Sequence, residues 1–459
     1  MTSLGWRNNV RVVMSTPRPR RFRRLALATL LGLAGLVVMV VLFNRPGDTQ
    51  DRIARLRAAG YPTTPAELDA WYVHPPDQEN LATPLIETMA DFQFDKNDTN
   101  LPVLGKFRAE PADSPWPPHA LNAAREFLTK NSNALVRLHA ALERPKYRFP
   151  GNLAQMKSAV LTRSADTVRN AGSSLALEAR VVAEENRLDQ AVKALLLAQH
   201  LADRVEAEPD ALPYLVAEAI RRINLNAAES ILSQHELSPT NLLRLQERLL
   251  ASAATTSPER AIAGTLVEFL HITGQRPRGL DAWYGRTKGT ALSVYWTLGL
   301  HHRDRRLGTR LYDEWLAALR LPSDQRVAAA REINDSLGKQ LSRGLHPVAS
   351  TTLPIGWTIS EKHASDLTRL RAGATACAIE RFRQREGSLP ESLEALVPVF
   401  MASIPTDAFT GRPLSYRRLD RGFVVYGVGE DGADNGGLPR ERRPKAGDRS
   451  FDDTFTVTR

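Results

Sequence analysis

The chain has 459 residues, 42% of them hydrophobic and 24% charged, an ordinary globular mixture with room for two or three domains and a real core. A formal charge of +10 would suit a nucleic-acid binder, but seven of those ten surplus charges are Arg7, Arg11, Arg18, Arg20, Arg21, Arg23 and Arg24, in a stretch without an acid. The remainder carries a surplus of three, so the charge belongs to a tail and nucleic acid is not an expected partner. Cys377 is the only cysteine, which excludes an intrachain disulfide, a CxxC redox pair and a cysteine zinc site.

After this basic tail (1–24) comes LALATLLGLAGLVVMVVLF, Leu25 to Phe43, nineteen residues without a charge and with Thr29 as the one polar interruption. A helix of that length matches a hydrocarbon layer of about 30 Å, and it is apolar on every face. It is longer than the apolar core of a signal peptide, and FNRPGD is not a small-x-small cleavage site. The expectation is a transmembrane helix (25–43) held in the lipid bilayer. The arginines on its N-terminal side orient it with the N-terminus in the cytoplasm, which for a bacterial inner membrane puts the bulk of the chain in the periplasm.

A juxtamembrane helical segment is expected over 44–118. DTQDRIARLRAAG reads as a helix ending at Gly60, and TPAELDAWY as one capped by Thr64 with Pro65 in its first turn. PPDQENLATPLIETMADF offers a third amphipathic helix. EPADSPWPPHA, with four prolines in eleven residues, is a loop and a seam. A helical array is expected over 119–364. In LALEARVVAEENRLDQAVKALLLAQHLADRV, Leu188, Ala191, Val192, Leu195, Ala198 and Leu201 recur at three and four, the stripe of a helix packed on one face. Two helices around EENRLD resemble a tetratricopeptide pair. PYLVAEAIRRINLNAAESILSQ and SPTNLLRLQERLLASA follow at irregular spacing, so both a helical-hairpin array and an irregular all-α bundle fit. Residues 270 to 310 read as less regular. Helices resume at TRLYDEWLAALRL and PSDQRVAAAREINDSLGKQL, HPVASTTLPIGW reads as a loop, and a last long helix is expected from Ser365 to Arg385.

Over 365–459 the signals change. Gly387 stops the helix, Ser388 and Pro390 start a short one containing Leu393 and Leu396, and Pro398 ends it. Asp407, Thr410 and Gly411 form a turn before two strands, Leu414 to Arg418 and Phe423 to Val428, joined by LDRG as an antiparallel hairpin. The fold class expected is therefore mainly α, with a small C-terminal α+β module.

The order of parts in this module resembles the globular end of the type II secretion major pseudopilins. The resemblance rests on a glycine–proline turn (Gly387, Pro390), the leucine pair Leu393 and Leu396, and a turn formed by Pro405, Asp407, Phe409, Gly411, Pro413 and Tyr416. It continues with the strand end Tyr426 and Gly429, and a loop with Asp431, Gly432, Gly436, Gly437, Asp452 and Asp453. In that family the acidic loop holds calcium. The resemblance implies ligands here from the carbonyl of Val428 and the carboxylates of Asp431, Asp452 and Asp453, with Asp434 or Asn435 as alternates. Hard oxygen donors suit that ion. The inserted LPRERRPKAGDR, with five cationic residues, lowers the negative potential, so a solvated loop is the alternative. The chain departs from the family in placing a helical region between anchor and module and in having no acid within Leu25 to Phe43, where a filament subunit carries a glutamate. The whole layout, with PPDQENLATPL and YRFPGNL in its middle, also resembles a group of bacterial membrane-anchored helical envelope proteins without a described activity.

No GxSxG, HExxH, Walker loop or dinucleotide fingerprint occurs. His301, His302 and Asp304 in HHRD are metal-ligand types, but neighbours on a helix diverge by about 100°, so a solvated turn is the simpler reading. Glu184 and Glu185 beside Arg187 read as solvent-facing. The expectation is a protein-interaction scaffold of the envelope, near a secretion machine and binding other envelope proteins, without a catalytic site. The alternative is an envelope hydrolase with a site between helices.

Overall fold

The computed structural model describes residues 48–95, 97–107, 115–151, 153, 158–274, 295–297, 299, 301–342, 346–439 and 451–459, with scattered positions between 24 and 38. It is mainly helical with one small antiparallel sheet. Two compact units are distinguished, Asp48–Arg276 with Asp304–Arg459, and Met1–Gly47 with Pro277–Arg303. In the second of these, the described positions between 24 and 38 are helical, with Leu27, Leu30, Leu31 and Val38 exposed, and the rings of Trp296 and His301 stack at 4.0 Å. Most of the expected span Leu25 to Phe43, and the arginines before Arg24, lie outside the described residues. Among the described residues no helix is long and apolar enough to cross a membrane.

The larger unit begins with α1 (Thr49–Ala58), α2 (Pro65–Trp71), α3 (Ala82–Ala90), α4 (Pro118–Lys130) and α5 (Ser132–Leu142). Thr64 caps α2 as its sequence implies, accepting from the Glu67 N–H at 3.2 Å, while Glu67 reaches back to the Thr63 N–H at 2.8 Å. Four longer helices follow: α6 (Ser158–Glu184), α7 (Leu188–Val205), α8 (Ala211–Gln234) and α9 (Pro239–Thr255). Ser238 caps α9 through the Asn241 N–H at 3.2 Å. Then come α10 (Glu259–Gly274), α11 (His301–Ala318), α12 (Ser323–Ser342), α13 (Ala349–Thr352) and α14 (Pro354–Glu386).

The stretch expected to be a loop, HPVASTTLPIGW, instead holds α13 and the first turn of α14. Pro354 is not a breaker there; it occupies the first helical position, where its missing N–H costs nothing. Helix α14 therefore begins eleven residues before Ser365 and runs through the expected module boundary. Gly387 ends it at φ +75°, a conformation that only glycine takes without strain. The PESLEALVP segment is a single 3-10 turn, Leu393–Leu396, with both leucines buried.

Three strands complete the unit: β1 (Ser415–Leu419), β2 (Gly422–Gly427) and β3 (Asp453–Val457), in the order β1-β2-β3 and antiparallel throughout. The β1–β2 hairpin closes through Asp420 and Arg421, with Leu419 opposite Gly422, as the LDRG signal implies. The third strand was not expected. Its first residue, Asp453, pairs with Gly427.

Two apolar cores share α6, α7 and α8. Leu197, Ala198, Leu201, Ala202 and Val205 of α7 pack with α3 to α5, whereas Ala191, Val192, Ala194 and Leu195 pack toward α9, α14 and the sheet. Leu370, Ala374 and Ile379 of α14 lie in one cluster with Leu249, Phe423 and Phe455. The C-terminal sheet is thus built onto the helical region through a common core.

Candidate functional site

Among the described residues, a dense set of titratable groups surrounds Arg221, in the middle of α8 and 1% exposed. Its guanidinium donates to Asp203 of α7 at 2.9 Å, to Asp366 of α14 at 2.9 Å, and to Glu206, just past the end of α7. Asp203 also accepts from Ser252 at 2.7 Å and pairs with Arg248, both on α9. Glu206 accepts from the Thr256 hydroxyl at 2.8 Å and the Ser257 N–H at 2.6 Å. Four helices are tied at one point.

Three carboxylates face two guanidiniums here, so one negative charge is in surplus. Burial pushes the Asp366 carboxyl up to about 7 against the pull of Arg221, while burial opposes the charge of Arg221 and is outweighed by Glu206 and Asp366, which hold it above its ordinary range. One turn away, His363 Nδ1 lies 3.1 Å from the Tyr214 hydroxyl; burial pushes the imidazole down to about 4 and the phenol upward, so both are neutral. His363 also lines a cavity of about 30 Å³ bounded by Trp315, Val327, Ala364 and Leu367. That volume suits a water or two.

A second cluster joins the two stretches PPDQENLATPL and YRFPGNL. Asn80 Nδ2 donates to the Arg148 carbonyl at 2.8 Å and its Oδ1 accepts from the Arg148 N–H at 3.0 Å, while Leu81 N–H donates to the Lys146 carbonyl at 2.8 Å. Arg148, also 1% exposed, donates to Asp69 at 2.7 Å and lies over the Tyr72 ring at 4.9 Å. Glu208 accepts from the Phe149 N–H at 2.5 Å, and burial pushes its carboxyl up to about 8. The two stretches are therefore joined in the fold: Asn80 of the first supplies both backbone partners of Arg148 in the second.

Asp304 of the HHRD stretch turns inward and is fully buried. It accepts from the Val348 N–H at 3.0 Å and lies 2.6 Å from His346 Nδ1, while the rings of His301 and His302 contact each other at 4.0 Å. Among the described residues these side chains do not gather as a metal-ligand set, and Asp304 anchors the start of α13.

Each of the expected carboxylate ligands of calcium has a partner within the protein, and Asn435 joins two of them, Asp431 and Asp452. Asp452 accepts from the N–H groups of Asn435 at 3.2 Å, Gly437 at 2.7 Å and Leu438 at 3.2 Å. Gly436 and Gly437, both near φ +70°, turn those groups toward the one carboxylate. Asp431 accepts from the Ala433 N–H and the Asn435 amide, each at 3.0 Å. Asp453 heads β3, where it accepts from the Ser365 hydroxyl at 2.7 Å. Among the described residues no three His, Cys, Asp or Glu side chains gather so as to hold a metal ion. Asp434 caps the Gly436 N–H at 2.8 Å, and the Val428 N–H points at Asp407 at 3.4 Å. In this arrangement the carboxylate of Asp452 pins the loop through its backbone N–H groups.

Asp407 does the corresponding work one turn earlier. Its carboxylate accepts from Thr368 of α14 at 3.1 Å, the Phe409 N–H at 3.0 Å and Thr410 at 2.9 Å. Compared with protein-family models, curated proteins and solved structures, the chain matches none.

Sequence reading missed the Arg221 cluster, and one signal for it was there. Arg221 falls on the apolar stripe of α8 with Ala217, Leu225 and Ala228, all buried, where a charge requires partners.

Proposed function

We propose that the chain is a single-pass envelope protein, anchored in the bacterial inner membrane by Leu25 to Phe43, whose folded region serves as a scaffold for other envelope proteins. The observation that carries this reading is the use of charge in the folded region. Arg221, Arg148, Asp304, Asp407 and Asp452 each bind distant or looping backbone and side chains of the same chain, and so rigidify a surface. The nineteen-residue apolar run behind seven arginines supplies the anchor and its orientation. The pseudopilin-like order of turns around Asp407 and Asp452 supports a docking or capping role near a secretion machine. The finer description of the middle as a hairpin array rests on the three-residue turn between α6 and α7 and on their shared core.

Crosslinking in native membranes, followed by identification of the attached proteins, tests the scaffold. Recovery of the uncrosslinked chain alone, at every crosslinker length, would remove it. A reporter fused after Arg459 that works only in the periplasm tests the orientation. Activity of a cytoplasm-only reporter at that site would overturn both the orientation and the localisation.

A further inference from the structure

The three-stranded sheet has two edges, and the fold treats them differently. On β3, Thr456 and Thr458 turn their N–H groups away from β2. Thr456 donates to the Glu229 carboxylate and Thr458 to the Ser233 hydroxyl at 3.1 Å, both on α8. Side chains of the helix thus close that edge. The register carries the alternation across to β1, where Leu414, Tyr416 and Arg418 turn outward. Leu414 N–H donates to the Pro405 carbonyl at 2.9 Å. Beyond it, among the described residues, the outward N–H and C=O groups of Tyr416 and Arg418 have no partner.

The charge along this open edge is mainly positive. Arg412, Arg417, Arg418 and Arg421 are all exposed, and Asp420 is the one acid between Arg412 and Arg421. The Arg418 side chain is held by Glu391 at 2.9 Å and the Pro390 carbonyl at 3.1 Å, and Arg421 by the Arg459 carbonyl at 2.7 Å. Among the described residues the side chains of Arg412 and Arg417 have no such restraint, although the Arg412 carbonyl accepts from the Asp407 N–H at 2.8 Å. Pairing with a second copy of β1 would set arginine against arginine, which disfavours self-association.

We propose that β1 is a docking edge for an extended acidic segment of a partner protein, which adds a fourth strand through Tyr416 and Arg418 and sets carboxylates beside Arg412 and Arg417. Backbone pairing would give the affinity and the arginines the selectivity. The inference rests on the scaffold reading for its partner being a protein, but its experiment addresses this edge alone; crosslinking can succeed at another surface while the edge fails. A short, basic edge is also a device that blocks pairing, and the experiment separates the two.

The full-length chain in detergent is titrated against a fluorescent ten-residue peptide alternating Glu and Val, with two controls: a Lys–Val peptide, and a Glu–Pro peptide of equal charge that its prolines hold in polyproline II rather than in a β-strand. The Glu–Val peptide is expected to bind at least tenfold more tightly than either control. Arg418→Pro removes an outward N–H at a position where an edge strand tolerates proline, and should abolish that preference. Because it also removes the Glu391 contact and could disturb the hairpin, Arg417→Glu provides a second reading, with selectivity shifting toward the Lys–Val peptide. Equal binding of the Glu–Val and Glu–Pro peptides, no binding of the Glu–Val peptide, or a preference unchanged in Arg417→Glu would overturn the proposal and leave β1 a protected edge.

Discussion

Arg221 and Asp452 are both buried ions that hold separate pieces of chain together, yet they gather their partners over different distances. Arg221 reaches Asp366, 145 residues away, whereas Asp452 binds the N–H groups of a loop 14 to 17 residues upstream. The first joins helices that have already formed; the second shapes a loop that has no other structure. A buried ion with side-chain ions as partners fails when either partner is lost. One with backbone N–H partners fails only locally.

The largest effect should follow from breaking the first arrangement. Arg221→Met leaves Glu206 and Asp366 without their cation in a site closed to water, and a loss of about 3–5 kcal/mol is expected for one partner removed from a buried ion pair. Urea unfolding checks this. Adding Asp366→Asn should recover part of the loss, since it removes the surplus carboxylate. A loss under about 1 kcal/mol would mean that water reaches the cluster after relaxation.

A somewhat smaller loss, about 3 kcal/mol, is expected where the two regions meet. Phe455 of β3 is fully buried and rests on Gly373 of α14 in the cluster shared with α8 and α9. Phe455→Ala leaves a cavity there. Because the core is common, unfolding of the larger unit should remain one transition, with far-UV circular dichroism and tryptophan fluorescence coincident. A separate early transition would show that the sheet and α14 fold as an independent module.

The same contrast of range explains which parts were legible in the sequence. Thr64, Ser238, Gly387 and the two-residue turn after Leu419 are read correctly because each acts within four residues of itself. HPVASTTLPIGW misleads because proline both ends and begins helices, and only the packing of α14 decides which. Strand β3 was hidden behind its acids: DDTFTV looks like a ligand loop until β2, about 30 residues earlier, is available to pair with it. The site around Arg221 required knowing which faces of four helices meet. Its one local sign was a charge on an apolar stripe.

A third and smaller effect should come from the loop. Asp452→Ala removes the acceptor of three backbone N–H groups, and with the loop free to find water about 2 kcal/mol should be lost. Hydrogen exchange at residues 435 to 438 should accelerate while α8 and α14 stay protected. The acceleration should be the same with calcium as with chelator, because the carboxylate itself is the clamp. Protection that grows with calcium in the unaltered chain, and is lost in the variant, would restore the metal reading.

The smallest effect belongs to Asp453, and it is carried by pH. Burial pushes its carboxyl up to about 6, above the ordinary aspartate value, with the Ser365 hydroxyl and Arg369 opposing, and among the described residues its Oδ2 has no hydrogen-bond partner. The folded chain therefore holds a proton more tightly than the unfolded chain. The stability this lends is complete below the unfolded value near 4 and is lost as pH rises through about 6. Asn at this position keeps an acceptor for Ser365 and carries no charge to desolvate. Asp453→Asn should be less stable to urea than the unaltered chain below pH 4, because the amide must fit where a carboxyl lay, and more stable above pH 6 by about 1 kcal/mol, the rest of a linkage of ~1.4 kcal/mol per pKa unit being offset by that same misfit. Asp366 and Glu208 also titrate near neutrality, but they are present in both proteins and cancel in the difference. A difference that is constant from pH 4 to pH 8 would show that Asp453 is charged at every pH in that range. The strand would then tolerate the ion, and the closeness of β3 to α14 would have to be less complete than its burial indicates.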